Sequence, residues 1–379
     1  MTTITRIACA TLEGRRARSA GANARVGVHG DRVSLPLICL ETSDGVAGFG
    51  RGRIDKALAS TILGQSLDAV MGSTGVRAGW LPFEYALLDL AARQAEVPVW
   101  KLIAPDAAVQ EVTSYDTSLY FDDLDLKEDA AAAAFIADEA HSGWDRGHRA
   151  FKIKVGRGAR HMPLEAGTVR DLAIIRAVRE AVGPEARIAI DANDGWNLNL
   201  TKRVLEDTAD VGIYWLEEAF HEDGVLYEDL KAWQAERGLS VLIADGEGAA
   251  HPALLDWAAS KLVDVVQYDI YSYGFGRWQA LANTLAAEGT YAAPHSYGNG
   301  IGYYVICHLA KVTTNSPMVE WDEVSFNAID ASGWAIREGV VTVPDQPGWG
   351  LELDDAAFAR AVDANGFSLE QLGRPNRDP

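Results

Sequence analysis

The sequence predicts an α/β chain organised as a closed barrel of alternating strands and helices, with a smaller α+β unit ahead of it. Three observations carry that reading. First, seven short apolar runs follow one another and end on or beside a charged or polar residue: FKIK (151–154), RIAIDAN (187–193), GIYWLEE (212–218), VLIADGE (241–247), DVVQYDI (264–270), TYAAPH (290–295) and MVEW (318–321). Second, the intervals from Lys154 through Asp191, Glu217, Glu247, Asp269, His295 and Glu320 run from 22 to 37 residues. Each interval has room for one strand, one helix and two short loops. Third, the runs lack strict alternation, as strands covered on both faces do.

Helices fit the gaps at 168–182, 200–209, 225–237, 252–260, 277–288 and 302–311, and an eighth strand is expected near 109–117. An open doubly wound sheet is the rival. It would carry a glycine-rich dinucleotide loop after an early strand, and the sequence has none. In a barrel the carboxyl ends of all strands face one mouth. Lys152, Lys154, Asp191, Glu217, Glu247, Asp269, His295 and Glu320 then converge there.

The first hundred residues lack this rhythm. Segments 3–12 and 36–42 read as antiparallel strands, Ser43-Asp44-Gly45 as a turn and 46–50 as the returning arm. Between the first two lies 13–34, polar and glycine-rich, with Arg15, Arg16, Arg18, Arg25, His29 and Arg32; it reads as a long loop, either a solvated flap or one from which an arginine or two reach an anionic substrate carboxylate. Helices are expected at 54–72 and 82–93, the second from Phe83, Ala86, Leu87, Leu90 and Ala91 at helical spacing behind Pro82. The expected division is a capping domain over 1–107, a barrel over 108–335, and a segment over 336–379 that packs back on the cap. Within that last segment a strand is expected at 340–343, a turn-rich stretch at 344–350, a helix at 354–362 and a loose tail at 373–379.

Composition bounds the partners. A net charge of −20 and a pI near 4.8 over 379 residues exclude binding to a nucleic-acid backbone or an anionic membrane surface as the expected function. Three cysteines without metal spacing suit reduced, buried thiols. The start MTTITRIACATLEG lacks a basic region followed by a long apolar run, and no stretch reaches the roughly 18 apolar residues of a membrane span. A cytoplasmic location is therefore expected.

The chemistry follows from residue types at the mouth. Asp191, Glu217 and Glu247 would repel one another unless a cation neutralised them, and all-oxygen ligation favours a hard ion, Mg²⁺ first and Mn²⁺ second. Lys152 and Lys154 stand two apart on a strand and so point the same way, which makes Lys154 a candidate proton-abstracting base. Asp269 and His295 end adjacent strands, where the carboxylate can fix the imidazole tautomer. Glu320, if protonated, can hold a substrate hydroxyl or a developing enolate oxygen.

These residues together give the chain a resemblance to the enolase superfamily, specifically its mandelate racemase subgroup. The likeness covers nearly the whole length. It rests on Lys-x-Lys at 152 and 154, Asp-x-Asn at 191 and 193, WLEE at 215–218, Gly-Glu at 246 and 247, Asp-Ile at 269 and 270, His295, the stretch WLPFEYALLDLAARQAEVPVWKLI and the stretch PDQPGWGLELD. It implies a modified TIM barrel, (β/α)7β, with an N-terminal α+β capping domain completed by the C-terminal segment. It also implies Mg²⁺ on Asp191, Glu217 and Glu247, Lys154 as the base on one face with Lys152 modulating it, and a His295–Asp269 dyad on the other. Glu320 matches the acid that hydrogen-bonds the carboxylate-derived oxygen. A small-molecule carboxylate substrate and a homo-oligomer, dimer or octamer, follow from the same likeness.

Two departures stand out: Ala219 where a proline usually follows the paired glutamates, and Tyr268 where a proline commonly precedes Asp-Ile. The candidate substrate contacts are Asn193, Tyr268, Arg15, Arg16 and Arg25. The expected reaction is dehydration of a sugar acid, an aldonate or aldarate, to a 2-keto-3-deoxy acid. Racemisation or epimerisation of a 2-hydroxy acid or amino-acid derivative is the alternative, followed by cycloisomerisation of a sugar-acid lactone. Either Lys154 or His295 abstracts the proton, according to the configuration bound.

Overall fold

A computed structural model of the chain describes residues 2–72 and 75–371. The chain opens with a long antiparallel hairpin, β1 (Ile4–Ala20) and β2 (Gly30–Thr42), followed by β3 (Ala47–Arg51) on the far side of β2. The segment 13–34 is therefore not one loop. Both strands run on into it and leave only 21–29 as the connection, because its polar residues still alternate: Leu12, Gly14 and Arg16 point in while Glu13, Arg15 and Ala17 point out. A hydrophobic reading of period two misses a strand whose inward residues include glycine and arginine.

The first long helix, α1 (Glu84–Gln94), lies against β3. A Cβ at Gly48 would stand 2.3 Å from the Leu90 backbone nitrogen, so the Gly48-Phe49-Gly50 stretch is what lets helix and sheet approach. A 3₁₀ turn (Ala78–Phe83) precedes α1 and takes up Pro82. The helix expected at 54–72 is instead two short ones, Lys56–Thr61 and Leu67–Val70, interrupted where Gly64 adopts φ +79°.

The barrel strands are β4 (Ser114–Leu119), β5 (Ala150–Lys154), β6 (Arg187–Asp191), β7 (Ile213–Glu217), β8 (Leu242–Asp245), β9 (Val265–Val266), β10 (Tyr291–Ala292) and β11 (Val319–Trp321). They form one curled parallel sheet in the order β10-β9-β8-β7-β6-β5-β4-β11, so the last strand returns beside the first. Connecting helices are α2 (Asp129–Asp145), α3 (Leu164–Val182), α4 (Leu198–Asp207), α5 (Gly224–Arg237), α6 (Leu254–Ala259), α7 (Phe275–Glu288) and α8 (Gly302–Ala310). The helix α2, in the gap at 118–150, is one that apolar periodicity does not predict: its alanine-rich DAAAAAFIADEA gives a strong propensity but a weak apolar face. Asn197 and Asp223 cap α4 and α5, accepting from the Leu200 and Val225 amides.

Inside the barrel, residues two apart build layers. Ala150, Ala189, Trp215 and Ala244 belong to a floor with Tyr115, Val265, Ala293 and Met318. The alanines leave room for Trp215 and Tyr115, whose rings meet edge to face at 5.3 Å. One step along the same strands come Lys152, Asp191 and Glu217, while Phe151, Ile153, Ile188, Ile190 and Leu216 face the helices. The charged layer thus sits directly on an apolar floor.

After β11 the chain returns to the cap. β12 (Val324–Phe326) pairs antiparallel with β1 through Gly14↔Phe326, and β13 (Phe367–Glu370), reached through α9 (Asp355–Asn365), pairs with its beginning. The strand expected at 340–343 forms over Val340–Thr342 as a hairpin with Ala335–Arg337. The tail at 373–379 lies outside the described residues. Among the described residues no helix is long and apolar enough to cross a membrane.

Candidate active site

Strand register sets the acids in a row. Lys154 pairs with Asp191 and Asp191 with Glu217, so three charged side chains share one level at the carboxyl ends of β5, β6 and β7. β8 ends at Asp245, which turns outward to the Tyr227 hydroxyl; Gly246 at φ +122° then brings Glu247 back over the mouth. One carboxylate oxygen from each of Asp191, Glu217 and Glu247 lies within 4.8 Å of the others. The chain leaves β6 and β7 through left-handed residues that are not glycine: Asn193 (φ 43°), Asp194 (φ 59°) and Glu218 (φ 42°). Such strain concentrates at sites that need fixed side chains. Here it lets the Asn193 amide donate to Asp191 (2.9 Å) and Asn193 Nδ2 to Glu218 (2.8 Å).

The charges are crowded and dry. Burial and the lysines act oppositely on Asp191; the lysines and the Asn193 N–H win and hold it at about 2. Burial, joined by neighbouring carboxylates, pushes Glu217 up to about 7 and Glu218 up to about 10. Glu247 Oε2 is buried without a hydrogen-bond donor in good geometry among the described residues. Acids that cannot all ionise together, and that offer only oxygen, fit a hard divalent cation. The Asp191–Glu217–Glu247 cluster is therefore a candidate Mg²⁺ site.

Lysines and a histidine flank it. Lys152, fully buried, donates to Glu217 (2.6 Å) and Glu320 (3.2 Å) and stands 3.5 Å from Asp191, while Lys154 donates to Asp191. Burial disfavours charge on Lys152, but Glu217 and Glu320 outweigh it and keep the ammonium charged. Across the mouth, His295 Nδ1 meets Asp269 at 2.6 Å, and Nε2 lies 3.2 Å from Glu247 and 3.7 Å from Glu320. Asp269 is itself held by the Gly248 N–H at 2.8 Å. Burial lowers the His295 pKa, yet Glu247, Glu320 and Asp269 raise it to about 10. Glu320 accepts from Thr117 (2.8 Å) and from the Ser296 and Tyr297 amides (2.7 and 2.8 Å). Burial would raise its pKa, but Lys152 and these donors hold it far below the carboxylate range.

The remaining candidates separate. Arg25, on the 21–29 connection, reaches the acids: 2.9 Å to Glu247, 3.3 Å to Glu218 and 3.2 Å to Asp194. Asn193 lies among them, with Oδ1 buried and unpartnered among the described residues. Arg15 does not reach the site; it points outward from β1 to Asp31 at 2.6 Å. Arg16 points inward, but Asp322 takes its guanidinium at 2.6 and 3.0 Å. Tyr268 stacks on Tyr273 at 4.8 Å. Three residues with no assigned role in the sequence reading also line the mouth: Tyr120, His29 and Tyr297. Tyr120 stacks on Tyr297 at 5.1 Å, and His29 meets both rings edge-on at 4.9 and 5.6 Å. They come from three distant segments, so no local signal marks them.

Comparison with known proteins agrees with this fold. The family described as enolase C-terminal domain-like matches residues 136–357. The structure of galacturonate dehydratase from Geobacillus sp., complexed with D-galacturonate and 5-keto-4-deoxy-D-galacturonate, is 45% identical, covers 97% of this chain and 98% of that one, and superposes with a TM-score of 0.93. A mutant of the same enzyme complexed with Mg is 44% identical over 98% of this chain and 97% of that one, with a TM-score of 0.94. Arabinonate dehydratase from Saccharolobus solfataricus is 27% identical over 355 residues, which is 84% of this chain and 88% of that protein. With this match over more than half its length, the chain belongs to the enolase superfamily, in the mandelate racemase-like subgroup.

Proposed function

We propose that this chain is a Mg²⁺-dependent sugar-acid dehydratase. One observation carries the reading: the register that gathers Asp191, Glu217 and Glu247 between Lys154 on one flank and the His295–Asp269 pair on the other. Relatives named for galacturonate and arabinonate dehydration, the first at 44–45% identity, support the reaction class.

A divalent cation held by Asp191, Glu217 and Glu247 would supply positive charge beside the substrate carboxylate, where negative charge builds when the adjacent proton leaves. Lys154 and His295 stand on opposite flanks, so one takes the α proton and the other protonates the departing β-hydroxyl. The C–H electron pair moves into the carboxylate, then forms a double bond as the C–O bond breaks. Water leaves, and the enol becomes a 2-keto-3-deoxy acid, counted from the carboxylate. Asp269 accepts from His295 Nδ1 and so leaves Nε2 facing the mouth. Lys152 bridges Glu217 and Glu320, positioning both.

D-Galacturonate is the first substrate to test, because it is named with the more similar relatives. Purified protein with Mg²⁺ should form a keto acid from at least one member of a panel of uronates, aldonates and aldarates. Exchange of the α hydrogen with deuterium from solvent, without loss of water from any acid, would instead identify an epimerase.

The proposal extends to organisation. A cap over 1–107, a barrel over 108–335 and a returning segment over 336–379 would act as one unit. Trp349 supports this, donating from its amide to Asp89 (2.7 Å) and from its ring to the Tyr85 carbonyl (3.1 Å) of α1. A dimer or octamer is proposed from the family likeness. A cytoplasmic location is supported by three free thiols, Cys9, Cys39 and Cys307.

A further inference from the structure

The strand order divides the mouth into two arcs. Asp191 and Glu217 end β6 and β7 and Glu247 follows β8, whereas Tyr120 follows β4 and Tyr297 follows β10. The two tyrosines therefore stand across the mouth from the acids. The connection at 21–29 lays His29 on them, and it is fixed to the barrel: Phe121 N donates to the Ala22 carbonyl at 2.9 Å, Arg160 donates to the Arg25 carbonyl at 2.7 Å, and His161 Nε2 lies 2.9 Å from the Asn23 carbonyl. Lys154 Nζ lies 5.2 Å from the centre of the Tyr120 ring, so this aromatic group adjoins the reacting centre.

The group is polar but carries no available charge. His29 Nε2 is buried without a hydrogen-bond partner among the described residues. Tyr297 Oη is also buried; the Tyr120 side chain lies beside it, but no partner stands in hydrogen-bonding geometry. Buried polar atoms of this kind call for a partner. Burial, with Lys154 and Arg16 adding to it, lowers His29 to about 4, which leaves the ring neutral. Arg16 lies 4.4 Å over the Tyr297 ring, but Asp322 already takes it in a two-pronged pair, and Gly298 N donates to the same carboxylate at 2.9 Å. Lys154 is paired with Asp191.

We infer that His29 and Tyr297, walled by Tyr120, bind the hydroxyl or carbonyl oxygens at the substrate end remote from the reacting carboxylate, and so select monocarboxylate sugar acids over dicarboxylates. The inference rests on the sugar-acid reading and narrows its substrate class. A neutral oxygen entering this socket satisfies His29 Nε2 and Tyr297 Oη. A second carboxylate would lose water there and meet no unpaired cation, which costs several kcal/mol and corresponds to a discrimination of roughly 100-fold or more.

The test compares D-galacturonate with galactarate, six-carbon acids that differ in the oxidation of one end. Turnover is read as kcat/KM with the wild-type protein, and binding by calorimetry with the non-reacting Lys154→Met variant, both in Mg²⁺. The wild type is expected to favour galacturonate by roughly 100-fold. Tyr297→Phe and His29→Asn should each raise KM for galacturonate by roughly tenfold, with kcat changed less than threefold. His29→Lys, which supplies a charge, should move the ratio toward galactarate. Equal use of the two acids by the wild type, or an unchanged ratio in all three variants, would overturn the inference. A binding preference that disappears in the double variant Lys154→Met/His29→Asn, with no keto acid formed by the wild type, would leave the socket standing and remove the dehydratase reading instead.

Discussion

The two arcs of the mouth use opposite physics. On the β6–β8 side, acids stand so close that burial and mutual repulsion raise Glu217 and Glu218 while Lys152 and Lys154 hold Asp191 down. On the β4–β10 side, aromatic rings enclose neutral polar atoms, and the nearest cation is cancelled by Asp322. Charge is concentrated where an ion and a developing anion would be stabilised, and is paired off beside the rings, Arg16 with Asp322 and Glu320 with Lys152. The acids and the aromatic rings thus occupy different strand ends, and the two meet after β10, where His295 and Tyr297 stand two residues apart.

That contrast is most easily broken at the acids. Glu217→Gln or Asp191→Asn removes one of the three carboxylates of the candidate Mg²⁺ site, and the prediction is loss of tight Mg²⁺ binding by calorimetry with turnover down by roughly 10⁴-fold or more. Next in size come the flanks. Lys154→Ala and His295→Asn should each cut turnover by roughly 10³-fold while Mg²⁺ affinity stays within a few-fold of wild type, which separates proton transfer from metal binding.

Arg25 gives a smaller and more diagnostic effect. Its guanidinium lies on Glu247, Glu218 and Asp194, where it competes for the charge a divalent ion needs. Arg25→Gln should therefore tighten Mg²⁺ binding by roughly threefold to tenfold, and the gain should shrink in high salt. Weaker binding in this variant would mean that Arg25 organises the acids instead of competing with the ion.

The smallest effect concerns pH on the aromatic side. His29 has a folded pKa near 4, below its ordinary value near 6.5, so the unfolded chain takes up the proton first. Its contribution is fully present above about pH 6.5 and is lost as pH falls toward 4. Because the ring is partly exposed, the discounted effect is about 1 kcal/mol. The fall in Tm between pH 7 and pH 4.5 should be about 2 °C less in His29→Asn than in wild type.

Much of the acid arc was legible in the sequence because its residues end apolar runs, and a barrel sends every such end to one place. Lys152 and Lys154 were readable for the same reason: spacing of two fixes a common face. The aromatic arc was not legible. His29, Tyr120 and Tyr297 meet only through the hairpin connection and two strands far apart in sequence. The extent of β1 and β2 was hidden by Arg16, which points inward to an Asp322 more than three hundred residues away. The helix α2 was missed because alanines supply propensity without an apolar stripe. Registers that depend on local pattern were visible, while pairings created by closure of the barrel were not.

The most direct test of the central claim is an anomalous-scattering map from crystals soaked in Mn²⁺. The expected result is one peak per chain, within bonding distance of Asp191, Glu217 and Glu247, with Lys154 and His295 facing it from opposite sides. No peak at these acids, or a peak held instead by Asp194, Glu218 and Glu222, would contradict the account.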